Sequence, residues 1–228
     1  MSKRGLKLLL ILGTLFLIIS SISLESVSAA TVNTKKSRVT YTLKDANGKS
    51  YQLYVIGSSE KKKRASYDDS DFAMVWAGAN EGDLMYHGNY KFYIRKSGSK
   101  SVTYTGYQKK GYTYNATRKM MYMIPSKYKG QPDLFAIAST ESSNFEFVDI
   151  YYISKGKLKK AKHGLGYTLR PQNIYKDGFR IASYNNAVAK WDVLELKFNS
   201  TRGTFTKVKL KKYNFDSLSY KDWRKDWK

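Results

Sequence analysis

The 228-residue sequence contains no cysteine. A cysteine nucleophile, a thiolate metal site, a disulfide and an acyl anchor attached through cysteine are therefore all excluded. Small secreted domains without a sufficient hydrophobic core usually depend on disulfides, so this chain must be stabilised by burial of its own apolar side chains. A chain of about 200 residues can bury roughly 70% of its extended surface, which is enough for that purpose.

Long apolar runs are lacking after the first 30 residues. Residues 8–19 are almost entirely apolar, they follow three basic residues within the first seven positions, and residues 27–30 (VSAA) have small side chains. This order is typical of a secretory signal peptide. A retained membrane anchor is the weaker alternative, because a span requires roughly 20 apolar residues. We therefore predict a cleaved signal peptide over residues 1–29 and a secreted protein.

Acidic residues are scarce, since 18 Asp and Glu stand against 41 Lys and Arg, for a net charge of +23. Residues 84–132 contain ten basic and no acidic side chains, and residues 150–176 contain seven basic and no acidic ones. Repulsion among so many like charges destabilises a fold, and a polyanionic partner would relieve it. In the cytoplasm this composition would indicate nucleic-acid binding, but the predicted export excludes nucleic acid as the partner.

We predict instead that the protein associates by charge with an anionic cell-wall polymer or an anionic lipid surface. The absence of cysteine favours a Gram-positive source, where wall teichoic acids and lipid headgroups are the abundant anions and where the protein would be retained at the wall. Five basic residues of the first acid-free stretch are the candidate binding residues, and we expect them on or beside one exposed surface: Lys91, Arg95, Lys109, Lys119 and Lys127. The alternative is a solubility surface without a selected ligand.

Short apolar runs separated by turn residues predict an all-β fold of antiparallel strands. Asn47-Gly48 lies between two alternating runs, 39–43 and 51–56, and is a strong hairpin signal because both residues tolerate positive φ. Residues 58–71 are polar and charged, and a loop is expected there. The mature chain shows no long amphipathic helix.

One arrangement of three strands recurs three times in the rest of the chain. An apolar strand with small residues comes first, an aromatic or aliphatic strand follows, and a basic strand comes last after a glycine-containing turn. The first strands are 72–77, 134–138 and 179–183; the second are 90–94, 150–153 and 193–198; the third are 101–105, 158–162 and 205–210. Repeated antiparallel meanders are typical of propeller blades, although a β-sandwich or barrel also has short strands and turns. Either arrangement predicts a single all-β domain over residues 30–228.

The C-terminal residues 216–228 predict a short helix with an aromatic face. That face consists of Tyr220, Trp223 and Trp227. It either caps the end of the β-structure or contacts a membrane interface or a glycan. Because the chain also has 20 tyrosines, whose rings suit sugar faces, a carbohydrate-binding module is the second hypothesis.

Catalytic motifs are almost absent from the sequence. The two histidines, His87 and His163, have no carboxylate at a catalytic spacing, and no G-x-S-x-G motif is present. A glycosidase needs two carboxyl groups roughly 5–10 Å apart, and five residues have a suitable chemistry: Glu141, Glu146, Asp149, Asp192 and Glu195. A hydrolase of envelope polymer is therefore the third hypothesis, whereas the leading prediction is a non-catalytic protein without a metal or other cofactor.

Overall fold

The strands form three antiparallel sheets, each of which follows the chain as a meander. A computed structural model describes residues 32–68, 79–142 and 145–214, and 67% of these residues are in strands. The first sheet contains, in spatial order, β1 (Ser37–Lys44), β2 (Ser50–Arg64), β3 (Leu84–Lys96) and β4 (Thr103–Asn115). The 3-10 helix Thr34–Lys36 precedes it, and the described part of the chain has no α-helix.

The other two sheets have the same sequential order. The second contains β5 (Met121–Ile124), β6 (Leu134–Ser142), β7 (Phe145–Ser154) and β8 (Lys157–Lys160), and the short strand β9 (Leu165–Tyr167) also pairs with β7. The third contains β10 (Leu169–Tyr175), β11 (Gly178–Asn185), β12 (Lys190–Asn199) and β13 (Thr204–Asn214). No closed barrel is formed by the described strands. The all-β, antiparallel prediction is confirmed.

One hydrophobic core joins the three sheets. Phe92 of β3 meets Tyr151 of β7 edge to face with ring centroids 5.4 Å apart, and Tyr152 of β7 meets Phe198 of β12 in the same way at 5.0 Å. Such pairs contribute about 0.5–1.5 kcal/mol beyond the burial of their area. Neighbouring residues of β7 can contact different sheets because successive side chains of a strand point to opposite faces.

The hairpin predicted at residues 47–48 is present between β1 and β2. Gly48 has a φ of 78°, and the strands begin to pair at Lys44 and Ser50. The side chain of Asp45 organises the turn, since its Oδ1 accepts hydrogen bonds from two backbone N–H groups of the same turn at 2.9 Å. The turn therefore has a fixed conformation.

The loop predicted over residues 58–71 is wrong in its first half, because β2 continues to Arg64. Ser59 has a φ of 52° at a bulge, and the next side chain, Glu60, pairs with Arg38 of β1 at 2.6 Å. Beyond the bulge the backbone of β2 pairs with β3 again. Charged side chains are compatible with this part of the strand because it is exposed.

The predicted three-strand units also need correction. In the first sheet the strand that precedes β3 is β2, whereas the predicted strand 72–77 lies outside the described residues. Each sheet has one further strand in front, and the sequence pattern does not predict β5 or β10. Pro171 lies within β10, where the register with β11 shifts, as is usual for proline at an edge or a bulge.

Two further predicted segments fall outside the described residues. They are the signal peptide over residues 1–29 and the helix over residues 216–228 with Tyr220, Trp223 and Trp227. Within the part of the chain that the structure describes, no helix is long and apolar enough to cross a membrane.

Candidate anion-binding site

Basic side chains are concentrated at the turns of one end of the three sheets, which we call the basic end. In an antiparallel meander alternate turns lie at the same end, so the β1–β2 and β3–β4 turns share an end, as do β5–β6 and β7–β8, and β10–β11 and β12–β13. Hydrogen bonds bring the three ends together, because the side-chain Oε1 of Gln131 accepts from the backbone N–H of Asp177 at 2.7 Å and the backbone N–H of Asp133 donates to the carbonyl of Lys44 at 2.9 Å. The basic residues within or next to these turns are Lys44, Lys49, Lys96, Lys100, Lys127, Lys129, Lys155, Lys157, Lys176 and Arg202.

The same turns contain three carboxylates, and two of them are buried. Asp45 and Asp133 are each 4% exposed. Asp45 accepts from N–H groups of its own turn, as described above, and Asp133 accepts from the backbone N–H groups of Lys44 and Ser126 at 2.7 Å. These carboxylates hold the backbone in place, and the third, Asp177, is half-buried.

A cleft of about 650 Å³, the first cleft, lies at the basic end between the first and second sheets. Its volume is within the range usual for ligand sites. Three lysines, three tyrosines and four Ser or Thr side chains are among its lining residues, and no carboxylate is. The charged and aromatic ones are Lys96, Lys157, Lys159, Tyr51, Tyr104 and Tyr107. None of these lysines forms an ion pair within the described part of the chain.

A bulge in β4 shapes one wall of the first cleft. Gly106 has a φ of 83°, and three residues of β4 stand opposite Phe92 of β3 alone. The hydroxyl of Thr105 donates to the carbonyl of Phe92 at 2.9 Å and holds the bulge. Tyr107 reaches the second sheet as a result, where its hydroxyl accepts from the backbone N–H of Lys160 at 3.2 Å. Bulges commonly redirect side chains in this way.

The opposite wall is the tight turn between β7 and β8. Lys155 and Gly156 have φ values of 50° and 75°, which is the conformation of a two-residue type I′ turn. The turn brings Lys157, the first residue of β8, to the cleft. Gly156 lies close to Tyr51 of the first sheet, whose hydroxyl is 3.6 Å from the position that a Cβ would occupy.

A second cleft, of about 560 Å³, lies at the same end between the β1–β2 turn and the β5–β6 connection. Its basic lining residues are Lys44, Lys127 and Lys129. A fourth lysine lies beside it, because Nζ of Lys176 is 3.3 Å from the position that a Cβ on Gly130 would occupy. The one carboxylate in the lining is that of Asp45.

Both acid-free stretches supply lysines that line or border the two clefts. In the first cleft Lys96 comes from residues 84–132, whereas Lys157 and Lys159 come from residues 150–176. At the second cleft Lys127 and Lys129 come from the first stretch and the neighbouring Lys176 comes from the second, whereas Lys44 belongs to neither. Folding therefore concentrates positive charge that is dispersed along the sequence.

The five candidate residues are not brought to a common surface. Lys91 and Arg95 lie on the outward face of β3, where the Arg95 guanidinium is 5.5 Å from the ring centroid of Tyr54. Lys119 lies in the β4–β5 turn, at the opposite end of the sheets from the clefts. Of the five, Lys127 alone lines either of the two clefts.

Lys109 differs from the other candidates because its ammonium group is paired with a carboxylate of the second sheet. It pairs with Tyr90 across the strands and therefore shares the inward face of that residue. Its ammonium group lies 2.5 Å from Asp149 of β7, which also binds Lys160 of β8 at 2.8 Å. Burial raises the pKa of the Asp149 carboxyl, but the hydrogen bonds and charges of the two lysines outweigh it and the net pKa is lowered.

The carboxylates considered for a hydrolase do not line the two clefts. Besides the Asp149 pairs, Glu146 binds Arg118 at 2.7 Å, and Asp192 lies 3.9 Å from Lys212. Among the described residues, no group of three His, Asp or Glu side chains is arranged to hold a metal ion.

The sequence contains a signal for two of the cleft lysines, which the choice of candidates from a single acid-free stretch does not use. Lys96 and Lys157 each flank a glycine turn, and the rule that alternate turns of a meander share an end would group them.

No protein-family model matches the chain, and no curated protein or solved structure shows significant similarity to it. Inferences about function therefore depend on the chemistry of the two clefts.

Proposed function

We propose that the basic end binds a hydroxyl-bearing polyanion and that, for a secreted protein, this ligand is an anionic cell-wall polymer of the teichoic acid type. The observation that carries the proposal is the first cleft, where three lysines meet without a carboxylate among the lining residues. Ammonium groups bind phosphate as point charges, tyrosine rings offer flat apolar faces to a carbon skeleton, and the Ser and Thr hydroxyls bind ligand hydroxyls.

The expected strength of binding follows from the number of lysines in the first cleft. A basic side chain near an anionic surface contributes about 1 kcal/mol, so three contribute about 3 kcal/mol, which is roughly a hundredfold in affinity. The first cleft is open to solvent, and its attraction is therefore screened by salt. The Debye length falls from about 10 Å at 0.1 M to about 3 Å at 1 M, and we expect the complex to dissociate over this range.

The test compares two triple variants that remove the same charge. K96Q/K157Q/K159Q removes the lysines of the first cleft, and K207Q/K209Q/K211Q removes three exposed lysines of β13. Binding to purified poly(ribitol phosphate) is measured by calorimetry at 0.1 M and 1 M salt, with thermal unfolding as a check of the fold. We expect a loss of roughly a hundredfold for the cleft variant, by the estimate above, and a small loss for the β13 variant. Equal losses, or no binding by the unmodified protein at 0.1 M salt, would refute the proposal.

A carbohydrate-binding module is the second candidate, and the exposure of Tyr104 favours it. This ring lines the first cleft, is 43% exposed, and is supported by Tyr93 with centroids 5.4 Å apart. Stacking on a sugar does not depend on salt. Binding of a neutral glycan that persists at 1 M salt and is lost in Tyr104→Ala would support this candidate over the electrostatic one.

We propose that binding is non-catalytic. The acidic side chains of β7 that could form a catalytic pair form ion pairs with lysine and arginine side chains instead. None of the carboxylates considered for a hydrolase lines either cleft. Release of soluble fragments from the polymer during long incubation with the purified protein would contradict this proposal.

We infer further that the three sheets are blade-like copies of one unit. Each is a meander with the same sequential order, and the first strands of the three sheets lie next to one another, since β5 contacts both β1 and β10. An experimental structure in which the three sheets fail to superimpose strand by strand would overturn the inference.

A further inference from the structure

We propose that the second cleft is a second binding site for the same anionic polymer, so that one polymer chain occupies both clefts at once. This inference rests on the proposed function of the first cleft and adds to it a site and a mode of binding. The second cleft has a comparable volume and, apart from Asp45, the same excess of lysine over carboxylate.

The two clefts are close to each other because they share the first sheet. Lys44, of the second cleft, is the last residue of β1, and Lys96, of the first cleft, is the last residue of β3. Only β2 lies between these strands. Neighbouring strands are about 4.8 Å apart, so the backbones of the two lysines are separated by about 10 Å at the same end of the sheet.

The path between the clefts carries no exposed negative charge. It crosses the first residues of β2, where Ser50 pairs with Lys44 and Tyr51 pairs with Lys96. The carboxylate nearest to these two residues in the sequence is that of Asp45, which is 4% exposed and accepts backbone hydrogen bonds. Because successive residues of β2 point to opposite faces, Lys44 and Lys96 lie on opposite faces of the first sheet. A polyanion that leaves one cleft therefore reaches the other around the end of the sheet, where it passes no exposed carboxylate and stays in a positive potential.

The backbone of the second cleft is fixed before a ligand arrives. Asn173 accepts from the N–H of Lys127 at 3.3 Å, and the hydroxyl of Tyr128 donates to the carbonyl of Ile174 at 3.1 Å. Since the β5–β6 connection is also tied to β1 through Asp133, binding orders only side chains there. A preorganised site of this kind loses less entropy on binding than a flexible loop does.

The lysines of the second cleft are available for a ligand. Lys44, Lys127 and Lys129 form no ion pair with any residue that the structure describes. Gly130 at the wall has a φ of 84°, a conformation that disfavours any side chain. No side chain at this position therefore occupies the cleft.

Occupation of two clefts by one chain predicts a steep dependence of affinity on polymer length. When one cleft holds part of a polymer, the next part binds the other cleft at a high effective concentration, and the gain in affinity reaches about 10²–10⁴-fold. Fragments too short to span the two clefts do not have this gain. Length dependence therefore distinguishes one bridged site from two independent ones.

The experiment titrates poly(glycerol phosphate) fragments of increasing length into four proteins. They are the unmodified protein, K96Q/K157Q/K159Q for the first cleft, K44Q/K127Q/K129Q for the second cleft, and K207Q/K209Q/K211Q as the charge-matched control. We expect the second-cleft variant to bind the shortest fragments about as well as the control does. For the longest fragments we expect its affinity to be at least tenfold lower than that of the control.

Each contrary result has a separate meaning. If the second-cleft variant matches the control at every length, or if affinity does not rise with length, the bridging inference is overturned while the first cleft can still be a binding site. If no fragment binds the unmodified protein at 0.1 M salt, the proposed function itself fails. Lys129→Gln alone, a change of one exposed side chain, replaces the triple variant if thermal unfolding shows that the triple variant is not folded.

Discussion

Replacement of Asp149 by Asn would break a charged link between the first and second sheets. The Asp149 side chain on β7 is 11% exposed, and its carboxylate binds Lys109 of β4 at 2.5 Å and Lys160 of β8 at 2.8 Å. Asn has nearly the same volume, so the substitution creates no cavity, but it cannot neutralise the two ammonium groups. The change therefore isolates the electrostatic contribution of this contact.

The expected loss in the free energy of unfolding lies between the values that are typical of buried and of exposed ion pairs. Removing one partner of a buried pair costs about 3–5 kcal/mol, whereas an exposed pair contributes about 0–1 kcal/mol. Lys109 and Lys160 are 27% and 41% exposed, and both can turn toward water when the carboxylate is lost. We therefore expect a loss of about 2 kcal/mol, which for a chain of this size lowers Tm by about 4–8 °C.

The loss should depend on pH. Although burial raises the pKa of the Asp149 carboxyl, the hydrogen bonds and charges of Lys109 and Lys160 lower it to a net value below the ordinary one. A carboxyl with a lowered pKa stabilises the folded state above its unfolded pKa, and this stabilisation is lost as the pH falls through the folded pKa. The difference between the two proteins should therefore be full at pH 7 and should shrink toward pH 3.

Thermal unfolding followed by circular dichroism at pH 7 and pH 3 measures this difference. Asp192→Asn is the matched control, because the Asp192 carboxylate is 40% exposed and lies 3.9 Å from Lys212. The control should change stability by less than about 0.5 kcal/mol. If the two variants are equally stable at pH 7, or if the Asp149 variant is as strongly destabilised at pH 3 as at pH 7, the reasoning is refuted.

Three other predictions concern the core, a close approach between strands and processing. Tyr122→Phe should cost about 1–3 kcal/mol because it leaves the buried hydroxyl of Tyr167, 2.5 Å from that of Tyr122, without this partner; the double Phe variant should lose less than the sum of the two single losses in thermal unfolding, and additive losses would contradict this. Gly88→Ala should destabilise by about 1–3 kcal/mol, since its Cβ would lie 2.9 Å from the carbonyl oxygen of Ser58; an unchanged denaturant midpoint would count against a tight approach. N-terminal sequencing of the exported protein should begin after residue 29 or 30, and recovery of the uncleaved chain on membranes would exclude the signal peptide.

The sequence predicts those strands whose signals are local. The alternation in β3 is one example, because Tyr90, Phe92 and Ile94 are buried while Lys91 is exposed on the other face. The hairpin at Gly48 is another, since a turn that requires positive φ can be recognised from two residues.

Strands that depend on partners distant in the sequence could not be predicted in this way. The end of β2 near Arg64 is polar and becomes a strand only because it pairs with β3 beyond a bulge. The four residues of β5 are too few for a periodic pattern, and they are stabilised by pairing with β6. β10 contains Pro171, which argues against a strand unless an edge position is already known.

The sequence allows the charge of the ligand to be predicted, but it does not allow the location of the site on the fold to be predicted. The acid-free stretches indicate a polyanion partner, and the cleft lysines belong to these stretches with the exception of Lys44. The first acid-free stretch contains both Lys91 and Lys109, yet the residue that decides the role of Lys109 is Asp149, 40 positions later on another strand. No local pattern reveals such a pair.

The location of the carboxylates accounts for the unequal distribution of charge in the fold. Glu60, Glu146 and Asp149 each bind a basic side chain within the sheets, whereas Asp45 and Asp133 at the basic end bind backbone N–H groups. These three carboxylates within the sheets thus neutralise cations where burial would make an unpaired charge costly. At the basic end Asp45 and Asp133 position turns instead. The lysines of this end form no ion pair with a residue that the structure describes, so solvent ions or an anionic ligand can balance their charge.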